Sequence, residues 1–238
     1  MISHLLAKGN SVVRPRDAAA LYFNPSKEFA RLSESGVLLK LSGGYYAIVP
    51  EEHRLGFWRP TIEGIALGMA VADYGREGAA LMGVSAARAH GAMQRATSVA
   101  VVATAHQRPT KTMDVGRVVF VKREIKSIDV QVVKTDLVTG LATTIEQTAL
   151  DIADRPELGG TTPATATEVL TELAGNLRWD VVVELAENQR KTSAVVRLAW
   201  VASAVIDPPK VPRPRGLVDG KGLRPVGALP AAEFRIQP

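Results

Sequence analysis

Pro25-Ser-Lys-Glu-Phe-Ala-Arg-Leu-Ser-Glu-Ser35, followed after Gly36 by Val37-Leu-Leu-Lys-Leu-Ser-Gly-Gly-Tyr-Tyr-Ala-Ile-Val49, is the stretch that decides the fold. Asn24 can cap a helix, Pro25 fits its first turn, and Gly36 can take the left-handed backbone that ends it. Helical spacing sends Phe29 and Leu32 toward a core and Lys27 and Arg31, four residues apart, to another side. Beyond the helix, Ser42-Gly43-Gly44 suits a tight hairpin turn because glycine accepts positive φ. A short helix with an outward cationic side, running into a glycine-turned hairpin, is how a winged helix-turn-helix ends. Upstream, Pro15 can open a further short helix, Arg16 to Leu21, with Tyr22 and Phe23 in the turn, and Ile2 to Ala7 supplies a first helix. Glu34 is expected near Lys27 and Arg31, where it offsets part of their charge, so the hairpin has to share the work through Lys40 near its turn.

At 238 residues the chain can hold one large domain or two ordinary ones, and 46% hydrophobic content supports a real core. The net charge of +5 permits an anionic partner without requiring one. Six cations (Lys8, Arg14, Arg16, Lys27, Arg31, Lys40) face only Asp17, Glu28 and Glu34 in the first fifty residues, so the basic excess lies where the motif lies. Absence of cysteine excludes disulfides, thiolate catalysis and cysteine-ligated zinc. The N-terminus lacks a signal pattern, and no stretch approaches the ~18 to 20 apolar residues that cross a bilayer. A cytoplasmic protein with no membrane partner is expected.

Pro50 to Pro60 breaks periodicity and is rich in charge, which suits a linker. The predicted organisation is α+β: a winged helix-turn-helix over residues 1–50, a linker over 51–60, a larger mixed domain over 61–206 with a small β-sheet and C-terminal helices, and a proline-rich extended tail over 207–238. Thr61 can cap a helix in which Ile62, Ile65 and Met69 form an apolar stripe and Gly64 and Gly68 admit a close neighbour. A second helix is expected from Glu77 to His90, then strands at Val99 to Thr104, Arg117 to Lys122 and Ile128 to Lys134. Thr144-Ile-Glu-Gln147 reads as a capping box opening a helix to Asp154, and helices follow at about Pro163 to Ala174, Arg178 to Asn188 and Lys191 to Ile206. Seven of the fourteen prolines fall after Asp207, which excludes a regular helix there.

Signs of enzyme chemistry are few. His4, His53, His90 and His106 have no metal-ligand spacing, and no nucleophile elbow, phosphate loop or dinucleotide fingerprint is present. No catalytic residue, metal or cofactor is expected. Asp114, Glu124 and Lys126 follow the acid, then acid-x-lysine, order of some metal-dependent nucleases, but Lys122, Arg123, Glu124 and Lys126 also read as a charged strand end, and Asp114 lacks the preceding proline. Asp151 and Asp154, with Arg155 beside them, read as a solvated helix face. Tyr45 and Tyr46 alternate along a strand, so one ring is expected in the core and the other outside.

Four phrases, Leu41-Ser-Gly-Gly-Tyr-Tyr-Ala-Ile-Val49, Val84-Ser-Ala-Ala-Arg-Ala-His-Gly91, Thr143-Thr-Ile-Glu-Gln-Thr-Ala-Leu-Asp-Ile-Ala153 and Ala199-Trp-Val-Ala-Ser203, stand in an order that resembles the AbiEi family of antitoxins from type IV toxin-antitoxin systems, particularly its actinobacterial members. Thr144, Glu146, Thr148 and Asp151 match the family's Thr-x-Glu-x-Thr-x-x-Asp stretch, which looks like a structural signature. The resemblance implies a winged domain that binds double-stranded DNA at inverted repeats in its own promoter and represses the operon, with two copies on the DNA. It also implies a C-terminal domain that counters a nucleotidyltransferase toxin. On that pattern Lys27 and Arg31 enter the major groove, Lys40 and Ser42 on the wing and Arg14 and Arg16 before the second helix hold phosphates, and Ser26 is a further DNA-binding residue. The alternatives are a module that sequesters the toxin directly and the nuclease just described.

Overall fold

The computed structural model describes residues 9–206 apart from 55 and 57. The expected helix Ile2 to Ala7 and the tail 207–238 lie outside the described residues. The chain is a mixed α+β protein of two compact units: residues up to Leu81 with Ala96–Ala142, and Met82–Arg95 with Thr143 onward. Among the described residues no helix is long and apolar enough to cross a membrane.

The first unit opens with β1 (Val12–Val13), a 3-10 turn (Pro15–Ala18), α1 (Pro25–Glu34) and a hairpin of β2 (Leu38–Ser42) and β3 (Tyr45–Ile48), in an antiparallel sheet of order β1-β3-β2. The helix starts and stops where its sequence dictates. The Asn24 side chain accepts the Lys27 N–H at 3.1 Å, and Gly36 takes φ +72° while the Val37 N–H donates back to Leu32. Phe29 and Leu32 are buried against Ala18, Leu38, Tyr46 and Ile48, with the Phe29 and Tyr46 rings edge to face at 5.3 Å. The segment expected as a helix from Arg16 to Leu21 is only the 3-10 turn followed by a further turn. Arg14 and Asp17 close that turn reciprocally, and six residues are too few for an α-helix to gain from propagation.

Helix α2 (Ile62–Tyr74), capped by Thr61, is buried over its first nine residues. Ile62, Ala66 and Ala70 pack toward Ala100, Val102, Val118 and Phe120 of a second sheet, while Ile65 and Met69 pack toward Val12, Tyr45 and Ala47 of the first. A helix covered on both sides has no polar stripe to display. Its position also corrects the expectation for the tyrosines: Tyr46 faces α1, Tyr45 faces α2, and both are buried. Gly68 permits the close approach, since a Cβ there would run into the Val12 side chain.

The second sheet holds β4 (Ala79–Leu81), β5 (Val99–Thr104), β6 (Lys111–Met113), β7 (Gly116–Lys122), β8 (Val130–Lys134) and β9 (Thr139–Thr143) in the order β6-β7-β5-β4-β9-β8. It is mixed, with β5 parallel to β7 and antiparallel to β4. The expected helix from Glu77 to His90 is absent. In its place β4 runs through the middle of this sheet, and Gly83 at φ +56° separates it from the short helix α3 (Val84–Ala89). Ala79, Ala80 and Leu81 are all fully buried, as a central strand requires, and their high helix propensity misdirects a local reading. The helix–hairpin segment and β4 to β8 of this sheet share one compact unit.

The second unit is helical: α3, α4 (Ile145–Asp154), α5 (Pro163–Ala174), α6 (Trp179–Asn188) and α7 (Thr192–Ala202). Leu150, Val169, Leu170, Val182, Val195 and Leu198 form the centre of its core. Helix α7 stops at Ala202 rather than Ile206, which leaves Val205 exposed.

Candidate nucleic-acid interface

The outward side of α1 carries Ser26, Lys27 and Arg31, all exposed. Arg31 is not free. Its guanidinium makes two bonds to Glu28, Nη2 to Oε1 at 2.5 Å and Nε to Oε2 at 3.1 Å, and these bonds hold the Glu28 carboxyl below its ordinary range. The carboxylate that tempers the helix is therefore Glu28, three residues away on the same face, rather than Glu34. Lys40 is exposed on β2 opposite Tyr46, and Ser42 is half-buried where the register of the hairpin slips by one residue. A surface depression of about 730 Å³ runs along the helix, bounded by Tyr22, Phe23, Lys27, Arg31 and Glu34.

Arg14 and Arg16 sit elsewhere in chemical terms. Arg14 donates to both oxygens of Asp17 and to Asp73 on α2, and only 13% of its side chain is exposed. Burial alone would lower its pKa, yet its bonds to Asp17 and the charge of Asp73 raise it. Paired with two carboxylates and largely buried, Arg14 offers a phosphate little surface. Arg16 gives one bond of 2.8 Å to Asp73 and keeps most of its surface in water. Asp73 also receives Arg108, which lies over the Phe120 ring at 4.6 Å, and the Tyr45 hydroxyl at 2.5 Å. Three arginines and a tyrosine thus converge on one carboxylate that ties β1, the hairpin and α2 together. Sequence reasoning missed Asp73, Tyr45 and Arg108 as a group, because partners 28 to 63 residues apart leave no local pattern.

In the helical unit the Thr-x-Glu-x-Thr-x-x-Asp stretch is buried and internally paired. Thr144 caps α4 through the Gln147 N–H, Glu146 accepts from Arg178 at 2.8 Å, and the Thr148 and Thr143 hydroxyls meet at 2.7 Å. Asp151, 2% exposed, accepts from Lys191 at 2.8 Å and from the Gln147 amide at 3.0 Å. Asp151 is therefore no solvated helix face; α4 turns it into the bundle, where Lys191 at the start of α7 compensates its charge. The Gln147 side chain also pairs with Asp151 and Gln189. The nuclease-like trio is not assembled: Asp114 lies in the turn before β7 and Glu124 just past its far end, roughly 20 Å apart at the usual rise of a strand. Among the described residues no three His, Cys, Asp or Glu side chains gather where they could hold a metal.

Residues 78–201, more than half of the chain, match the AbiEi antitoxin C-terminal domain. The chain belongs to the AbiEi antitoxin family. The matched segment of this AbiEi protein contains every member of the buried network around α4 and begins after α1 and its hairpin. Among solved structures it resembles the RV2827C protein from Mycobacterium tuberculosis, with a TM-score of 0.57, 19% identity, and 87% of this chain and 76% of that one covered, a likeness of fold. No curated protein matches the chain.

Proposed function

We propose that this AbiEi protein is the antitoxin and autorepressor of a toxin-antitoxin operon. Its N-terminal segment acts as a winged helix-turn-helix on double-stranded DNA, and two copies cover an inverted repeat in its own promoter. One observation supports this most: α1 presents Ser26, Lys27 and Arg31 outward, and Lys40 is exposed on the hairpin that follows. Lys27 and Arg31 enter the major groove; Lys40, Ser42 and Arg16 hold the phosphate backbone. The rest of the chain has no enzymatic role and counters a nucleotidyltransferase encoded by the adjacent gene.

A gel-shift series on the duplex upstream of the gene tests the DNA half. Lys27→Ala with Arg31→Ala should abolish the specific complex, and Lys40→Ala should reduce the salt slope by about 0.9 per copy for each phosphate that the lysine neutralises. Unchanged binding by the double variant refutes the assignment. Co-expression with the adjacent gene product tests the antitoxin half: rescue of growth supports it. Co-purification of the two proteins would mean that the toxin is sequestered directly.

A further inference from the structure

Phe23 is the one described phenylalanine held off the body. Phe29 and Phe120 are 0% and 2% exposed, while the Phe23 ring is fully exposed at 108%. Tyr22 beside it turns inward against the cluster of Phe29 and Leu32, so the turn itself orients Phe23 outward. Phe23 directly precedes Asn24, the cap of α1, and borders the same depression as Lys27 and Arg31.

The geometry points to Phe23 as a base-reading residue whose ring packs on the 5-methyl group of a thymine, an inference that rests on α1 being the DNA-reading helix. The N-terminal residues of such a helix are the ones that meet base edges. In the major groove the thymine methyl is the apolar group those edges offer, and a phenyl ring has no other complement there. Lys27 and Arg31 supply polar and charged contacts; Phe23 adds discrimination for thymine that a phosphate contact cannot provide.

The test compares the upstream duplex made with thymidine and the same duplex made with deoxyuridine, which pairs identically and lacks the methyl group. Full-length protein is titrated by fluorescence anisotropy. Wild type should bind the deoxyuridine duplex about four-fold more weakly per contacted methyl. Phe23→Ala should show that loss on the thymidine duplex and no further loss on the other. Its circular dichroism should be unchanged, because the ring supports no packing. Equal affinity of wild type for the two duplexes, or an undiminished thymidine preference in Phe23→Ala, overturns the proposal. If Lys27→Ala with Arg31→Ala binds as wild type does, the DNA-reading helix itself is wrong and Phe23 falls with it. If that variant loses binding while Phe23→Ala still discriminates thymidine, only Phe23 is misassigned. A change in self-association by sedimentation, with discrimination intact, would place the ring between copies of the chain and also overturn it.

Discussion

Lys191→Met is the sharpest probe of the family stretch, because it removes a charge and keeps the length of the stem. Asp151 has a side chain 1% exposed and Lys191 one 12% exposed, and their 2.8 Å contact is a buried ion pair. Deleting one member of such a pair costs about 3–5 kcal/mol, since the remaining charge stays desolvated. The Gln147 amide still donates to Asp151 at 3.0 Å, which puts the loss near the lower end, about 3 kcal/mol. The contact of Lys191 with Asp154 at 3.2 Å adds less than about 1 kcal/mol, as Asp154 is 30% exposed. With a urea slope of roughly 2 kcal/mol per molar, the midpoint of the helical unit should fall by about 1.5 M. Asp151→Asn with Lys191→Met removes both charges and retains an oxygen for Gln147, so it should recover to within about 1 kcal/mol of wild type. A single variant that unfolds at the wild-type midpoint, or a double variant no more stable than the single, refutes the reasoning. The recovered double variant should also neutralise the toxin; stability without neutralisation would mean that the stretch does more than hold the bundle.

Gly68→Ala should lower thermal stability by about 1–3 kcal/mol despite the better helix propensity of alanine, because its Cβ would press on Val12 and sit 3.0 Å from the Val12 Cβ; a variant as stable as wild type would show that β1 can move aside. Glu146 should contribute an acid-side loss of stability. Burial alone would raise its pKa, but the bond from Arg178 holds it below the ordinary 4.5, so its contribution is complete above that value and disappears as pH falls through the lower folded value. Glu146→Gln should lose less stability than wild type between about pH 6 and pH 3 in urea titrations. Glu28→Gln frees Arg31 from its 2.5 Å partner and should tighten binding to the upstream duplex by a few-fold at low salt, with a steeper salt dependence; weaker binding would mean that Glu28 holds Arg31 in its working position.

Much of the chain was legible where the deciding information is local. Asn24, Pro25 and Gly36 gave α1 its bounds, and Thr61, Thr144 and Pro163 opened their helices where expected. Strand β5 was found because a run of valines between polar breaks has few other uses. Strand β4 was not, because a three-residue run of alanine and leucine looks helical until five other strands surround it. The candidate interface divides in the same way. Exposure of Lys27, Arg31 and Lys40 follows from helix and strand period, whereas the diversion of Arg14 depends on Asp73, which lies 59 residues away. Misplacing Asp151 had a related cause: spacing within α4 puts Asp151 and Asp154 on adjoining positions, and only the arrival of Lys191 from a later turn says which side is covered.

That diversion changes what the basic excess of the N-terminus means for recognition. Arg14, Arg16, Lys27, Arg31 and Lys40 are five described cations, and Asp17, Glu28, Glu34 and Asp73 are four carboxylates around them. Three of the five cations are bonded to three of those carboxylates. Formal charge therefore overstates the field one copy can direct at phosphates, and long-range attraction alone would hold a single copy weakly. On the proposed reading, two copies on an inverted repeat would change the balance, because the second contact set would then be offered at the high effective concentration set by the first. Such binding would also need a reader whose helix and hairpin keep a fixed relation, since a contact set that drifts cannot match half-sites at one spacing. The burial of Tyr45 against α2 and the closure of Arg14, Arg108 and Tyr45 on Asp73 supply that rigidity. Arg14, held by Asp17 and Asp73, thus stiffens the platform on which Lys27, Arg31 and Lys40 are presented.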